Sequence, residues 1–118
     1  MLDTPTNLAS LLKDPTLLVT KAYIGGQWVD GEGGATFEVT NPARGDVIAN
    51  VADLSRAQVA GAIAQAEVAQ KKWAKKTGKE RSAVLRKWYD LMMENQADLG
   101  IILTAEQGKP LAEATGEI

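Results

Sequence analysis

Cysteine and histidine are both missing from this sequence. Without cysteine there is no disulfide framework and no thiolate nucleophile. Without histidine there is no imidazole base, and the two absences together remove the usual zinc ligands. The lack of cysteine leans towards the cytoplasm, where disulfides are rare. Phosphate-cradling loops of the G-x-x-x-x-G-K-[ST] or G-x-G-x-x-G type are also absent, so neither a catalytic nor a cofactor-binding residue is assigned. No apolar run approaches the roughly eighteen residues that would span a bilayer. The first twenty residues, "MLDTPTNLASLLKDPTLLVT", have no basic leader and are interrupted by Pro5 and Pro15, unlike a secretory signal. A net charge of −2 gives no general attraction to nucleic acid or anionic lipid, so neither is expected as a partner.

What is present is ordinary: 118 residues, 45% hydrophobic and 24% charged, the profile of one modest globular domain. "TPTNLASLLKD" predicts a short helix with Thr4 as N-cap, Pro5 at the first helical position and Leu8, Leu11 and Leu12 on one face, closed before Pro15. From Lys21 the pattern is that of strands. "AYIGGQWVD" sets β-formers on both sides of Gly25-Gly26, a pair suited to a two-residue hairpin turn. "ATFEVT" alternates, with Phe37 and Val39 on one face, and the turn-forming "NPARGD" leads to "VIANV". The expectation is two hairpins or a small antiparallel meander.

After Asp53 the period becomes helical. Ser55 and Gln58 stand as a capping box, followed by Val59, Ile63, Ala66 and Trp73 at three-to-four spacing, with Gln70 filling the gap between Ala66 and Trp73. Thr77 and Glu80 form a second box. It opens a longer helix whose stripe is Val84, Leu85, Trp88, Leu91, Met92, Leu99, Ile102 and Leu103, ending near Gln107 before Gly108. The short link at Gly78 predicts antiparallel neighbours. A third helix opens at Pro110 and is cut off at Ile118 without a glycine stop. The fold class is therefore α+β: antiparallel hairpins, two long antiparallel helices and the start of a third.

Most candidate features have a plain structural account. Lys71, Lys72, Lys75, Lys76, Lys79 and Arg81 suggest a phosphate-binding patch, but cations at a helix C-terminus also offset its dipole, and such runs are usually solvated. Trp73 and Trp88 would stack on bases, yet both lie on apolar stripes, which favours core packing. The glycines at 25, 26, 31, 33 and 34 precede strands, so turn chemistry accounts for them better than an anion nest. Glu106 stands out. A carboxylate in the last helical turn faces the negative end of the dipole, at a cost of a few tenths to about 1 kcal/mol. Solvent and Lys109 offset this; the sharper reading is a monovalent cation held by this carboxylate and nearby backbone carbonyls.

"GGQWVDG", "VTNPARGDVIANV", "KERSAVLRKWYDLM" and above all "AEQGKPLAEATGEI" closely resemble the start of the aldehyde dehydrogenase superfamily. "DPTLLVTKAYIGGQWVD" together with "EQGKPLAEATGEI" is most similar to its succinate-semialdehyde dehydrogenase branch. The resemblance covers nearly everything from Asp14 onward. It implies an enzyme several times longer, using NADP or NAD and a small aldehyde substrate. Its catalytic Cys, general-base Glu and dinucleotide-binding sheet would lie beyond the equivalent of Ile118. Residues 1–118 then form an N-terminal part of an α/β, Rossmann-like coenzyme domain, inactive alone, in a cytoplasmic homo-oligomer that oxidises succinate semialdehyde to succinate. Some family members hold Na⁺ or K⁺ near the end of the long helix; the matching positions here are Glu106 and the main chain of Val39 or Thr40. The alternative is a self-contained module binding a protein partner through Trp88, Leu91 and Leu99.

Overall fold

The computed structural model describes residues 7–118. They divide into two compact units. One holds Lys21–Phe37 and Val51–Asp90; the other holds the N-terminal segment to Thr20, Glu38–Asn50 and Leu91–Ile118.

In the first unit, β1 (Ala22–Ile24) and β2 (Gln27–Val29) pair antiparallel, with Tyr23 opposite Trp28. Gly25 and Gly26 connect them at φ 59° and 78°. Both positive values belong to the tight turn whose twist matches a hairpin, and glycine adopts them without a Cβ penalty. The Tyr23 and Trp28 rings sit 4.8 Å apart across the ladder. Helix α1 (Arg56–Ala74) begins at the expected capping box: the Ser55 hydroxyl accepts from Gln58 N–H, and Gln58 Oε1 accepts from Ser55 N–H. Gln58 does more than cap. Its Oε1 also accepts from Glu32 N–H at 2.9 Å and its Nε2 donates to the Asp30 carbonyl at 3.1 Å, tying α1 to the loop after β2. Helix α2 (Gly78–Glu94) begins at the second box, with reciprocal Thr77 and Glu80 bonds.

Strand β3 (Thr36–Thr40) pairs with β4 (Val47–Ala52) in a separate two-stranded sheet. Only six residues connect them, too few for a parallel crossover, so this is a second hairpin. The connection is built locally: Asn41 Oδ1 accepts from Ala43 and Arg44 N–H, while the Arg44 guanidinium pairs with Asp46. The two sheets are distinct, which makes the arrangement two hairpins and not a meander.

In the second unit, α3 (Gln96–Gln107) and α4 (Leu111–Glu117) pack on each other. The contact is close because α3 presents Gly100: a Cβ there would stand 3.2 Å from the Thr115 Cα. Gln96 Nε2 donates to the Thr115 carbonyl at 3.0 Å, and Ala114 is fully buried. Gly108 closes α3 in the left-handed conformation, φ 84°, donating to the Thr104 carbonyl. A 3-10 turn over Leu8–Leu11 packs against α3, and a second covers Pro15–Leu17.

Several expectations need correction. Thr4 and Pro5 lie outside the described residues; the turn seen is capped by Asn7, whose side chain accepts from Ala9 N–H. Leu8 and Leu12 are buried as expected, but Leu11 is exposed; Leu12 follows the 3-10 turn in extended backbone. The long second helix is interrupted at Asn95, which has φ −107° and ψ 14°. Its Nδ2 donates to the Leu91 carbonyl, a side-chain bond that competes with the helical ladder. Helices α1 and α2 do not pack closely along each other. Pro110 is the N-cap of α4, with Leu111 the first helical residue. The apolar stripes are largely uncovered: Ile63 is 66% exposed and Trp88 63%, so Trp88 is not a core residue here. Among the described residues, the buried hydrophobic set is Leu8, Leu12 and Ala114.

Candidate functional site

The N-terminus of α1 follows a strand, β4, and is where an anion would bind if this were a nucleotide-binding βα unit. It is closed instead. Ser55 occupies the Gln58 N–H, and the Gln58 side chain fills the space before the helix with bonds to Ser55, Glu32 and Asp30. At the start of α1 the Gln58 N–H is therefore already bonded to the Ser55 hydroxyl, and the sequence there carries no glycine loop.

Glu106, Thr40 and Val39 belong to one unit. A Cβ on Gly108 would be 2.8 Å from the Pro42 Cγ, so the end of α3 abuts the turn that directly follows Thr40. Glu106 and Thr40 are exposed and Val39 is half-buried. Among the described residues, the Glu106 side chain makes no hydrogen bond or ion pair, and no group of three His, Cys, Asp or Glu side chains converges as a metal cage. Lys109 does not answer Glu106: its ammonium pairs with Glu117 on α4.

The most constrained acid is one that sequence reasoning missed. Asp98, in the first turn of α3, is buried, and its two carboxylate oxygens accept the consecutive backbone N–H groups of Lys13 and Asp14 at 3.0 and 2.8 Å. These bonds to the charged form, with the Lys13 ammonium, hold its pKa below the ordinary aspartate value, against the opposing effect of burial. Reading α2 and α3 as one helix hid this residue, because Asp98 becomes a first-turn acid only once the helix breaks at Asn95.

The lysines at the end of α1 are exposed, with Lys71 paired to Glu67 at 3.1 Å, as a solvated face requires. Two of the open apolar clefts among the described residues are lined by larger aliphatic and aromatic side chains. One, about 620 Å³, lies between the β1–β2 turn and α1 and includes Tyr23, Leu54, Val59, Ile63 and Ala66. The other, about 430 Å³, is lined by Leu8, Leu11, Ile48, Ile101 and Leu111, with Arg44 and Thr104. The Thr104 hydroxyl is buried with no partner among the described residues.

These elements together, two hairpins feeding capped helices with little interior of their own, match known proteins throughout. The aldehyde dehydrogenase family model matches residues 28–118, and the chain belongs to that family. It is 53% identical over 107 residues to the 3-sulfolactaldehyde dehydrogenase of Pseudomonas putida, covering 91% of this chain and 22% of that protein. It is 52% identical, also over 107 residues, to the glutarate-semialdehyde dehydrogenase of Pseudomonas putida, covering 91% of this chain and 22% of that protein. The crystal structure of the succinate-semialdehyde dehydrogenase from Burkholderia pseudomallei superposes with a TM-score of 0.84 at 52% identity, over 90% of this chain and 22% of the other. The chain thus spans about 22% of the length of the relatives it matches. Nothing in these matches supports the reading as a self-contained interaction module. Among the described residues, no helix is long and apolar enough to cross a membrane.

Proposed function

We propose that this chain is the N-terminal part of the coenzyme-binding domain of an NAD(P)-dependent aldehyde dehydrogenase, whose Rossmann-like sheet and catalytic residues lie elsewhere in the protein. The observation that carries this reading is physical. α1 and α2 are sound helices with complete capping boxes, yet their apolar stripes, Ile63, Leu85, Trp88 and Leu91 among them, stand in solvent. Faces of that kind are built to be covered.

The names of the relatives support a substrate class. Sulfolactaldehyde, glutarate semialdehyde and succinate semialdehyde are short aldehydes with an anionic group at the far end. We assign this enzyme to that class, with succinate semialdehyde, oxidised to succinate, as its substrate. NADP or NAD supplies the hydride acceptor. The enzyme is a cytoplasmic homo-oligomer, and this segment on its own turns nothing over. Assay of the whole protein with the three aldehydes and either dinucleotide tests the assignment. Highest kcat/KM with succinate semialdehyde supports it, and preference for an uncharged aldehyde overturns it. Turnover by the 118-residue chain alone would overturn the division of labour.

Glu106 serves structure and not turnover. Its carboxylate, with the main-chain carbonyls of Val39 or Thr40, is a hard oxygen donor set suited to Na⁺ or K⁺, and the packing of Gly108 on Pro42 keeps these segments together. Thermal melts in KCl or NaCl against choline chloride at equal ionic strength should show cation-specific stabilisation that Glu106→Gln removes. Equal melts in all three salts would refute it.

A further inference from the structure

Residues 7–20 carry two 3-10 turns, Leu8–Leu11 and Pro15–Leu17, and between them Lys13 and Asp14 present two successive backbone N–H groups. Among the described residues, the hydrogen bonds that join this segment to any other element are two, and both end on the carboxylate of Asp98. Everything else holding it is apolar: Leu8 and Leu12, 4% and 7% exposed, with the first turn packed on α3. The same segment contributes Leu8 and Leu11 to the wall of the 430 Å³ cleft that also contains Ile101 and Leu111.

We propose that residues 7–17 form a strap over this cleft, latched to α3 by the Asp98 carboxylate alone, and that loss of the latch frees the strap while α3 and α4 stay packed. The chemistry favours a single latch. An ionised carboxylate offers an acceptor to each N–H, and two bonds to one charged group are stronger than two neutral ones. An amide of the same shape offers one acceptor and turns an NH₂ towards the other donor, which leaves a backbone N–H unpaired. Among the described residues, no second hydrogen bond holds the strap to another element once this one fails. The α3–α4 contact has its own supports, Gln96 to the Thr115 carbonyl and the close approach at Gly100, neither of which involves Asp98. The charged groups around the latch are Lys13 and Asp14 on the strap and Glu94 at the end of α2. Asp14 is occupied in capping Thr16 N–H and Oγ1, and on α4 Glu117 is paired with Lys109 while Glu113 is exposed. Lys13 is therefore the cation that assists the ionised latch.

Residues 1–118 contain no cysteine, so a peptide from this region labelled at an introduced thiol is unambiguous. Leu12→Cys places a thiol under the strap and Ala114→Cys places one in α4, each with and without Asp98→Asn in the intact protein. Alkylation rates are read by mass of the labelled peptide. The expected result is that Asp98→Asn accelerates labelling at position 12 by about tenfold or more, as local opening does, while position 114 stays within about twofold. No acceleration at position 12 overturns the proposal. Equal acceleration at both positions overturns it as well, because Asp98 would then support the whole unit and not the strap.

Discussion

Gly31 offers a sharp test of how close packing, and not backbone freedom, fixes a glycine. Its φ of −63° and ψ of 152° are available to any residue. Its surroundings are not: a Cβ there would lie 2.3 Å from the Asp53 carbonyl oxygen and 2.5 Å from that of Ala35. Ordinary carbon–oxygen contacts begin near about 3.3 Å, so Gly31→Ala overlaps two backbone oxygens by close to 1 Å each. Neither atom is the loose end of a side chain. The Ala35 oxygen also accepts the Asp53 N–H at 2.9 Å, the bond that holds the start of β3 to the end of β4. Overpacking by one methyl costs about 1–3 kcal/mol, and losing that bond adds about 1 kcal/mol. The substitution should therefore destabilise by roughly 2–4 kcal/mol, a large share of a typical domain's stability of roughly 5–15 kcal/mol. Gly61→Ala is the matched control. It lies inside α1 with open space around its Cβ position, where alanine should stabilise by roughly 0.5–1 kcal/mol. Urea denaturation followed by circular dichroism, with midpoints compared at constant m, measures both. The reasoning fails if Gly31→Ala stays within about 0.5 kcal/mol of the parent, a shift typical of neutral surface changes, or if the two substitutions share a sign.

Three further outcomes are expected. Because the Asp98 pKa is lowered in the folded state, its contribution is complete above the ordinary aspartate value of about 3.9 and drains away as pH falls through the lower folded value; protection of the Lys13 and Asp14 amides from hydrogen exchange should fall in that window, and Asp98→Asn should remove the pH dependence. Ser55→Ala and Thr77→Ala should each cost about 1 kcal/mol by urea titration, and the costs should add, since each cap serves its own helix. The 118-residue chain by itself should sediment above the mass of one copy, because Leu85, Trp88 and Leu91 on α2 are each at least half exposed; Trp88→Lys should shift it towards monomer, and a compact monomer in both forms would contradict this.

What could be read from the sequence was what neighbouring residues decide among themselves. The Gly25-Gly26 turn, both capping boxes, the Asn41–Asp46 connection and the Gly108 stop each close their hydrogen bonds within a few positions, so spacing alone located them. The break at Asn95 was not legible. Asparagine costs little in a helix, and the stripe resumes on its far side, from Met92 to Leu99, in a compatible register. The interruption shows in the Asn95 backbone angles and in its side-chain bond to the Leu91 carbonyl. Asp98 was out of reach for a related reason: its donors lie 85 and 84 residues away at Lys13 and Asp14, and no periodicity links positions so far apart.

Burial is where local reading and structure part most clearly, and the contrast explains what kind of polypeptide this is. Periodicity on α1 and α2 marks which side of each helix is apolar, and the coordinates agree on that side. It does not state what covers it. Val59, Ile63, Val84, Leu85 and Trp88 keep helical spacing yet remain more than 40% exposed. Helices α1 and α2 begin at complete capping boxes, while the buried apolar set among the described residues is Leu8, Leu12 and Ala114, so end-capping is in place and apolar burial is slight. A domain stabilised by its own interior has both. In the family to which this chain belongs, relatives devote only about a fifth of their length to the matching segment. The two observations meet in the reading proposed above: local capping and turn chemistry specify the elements, and under that proposal the burial of their apolar faces falls to the rest of the enzyme.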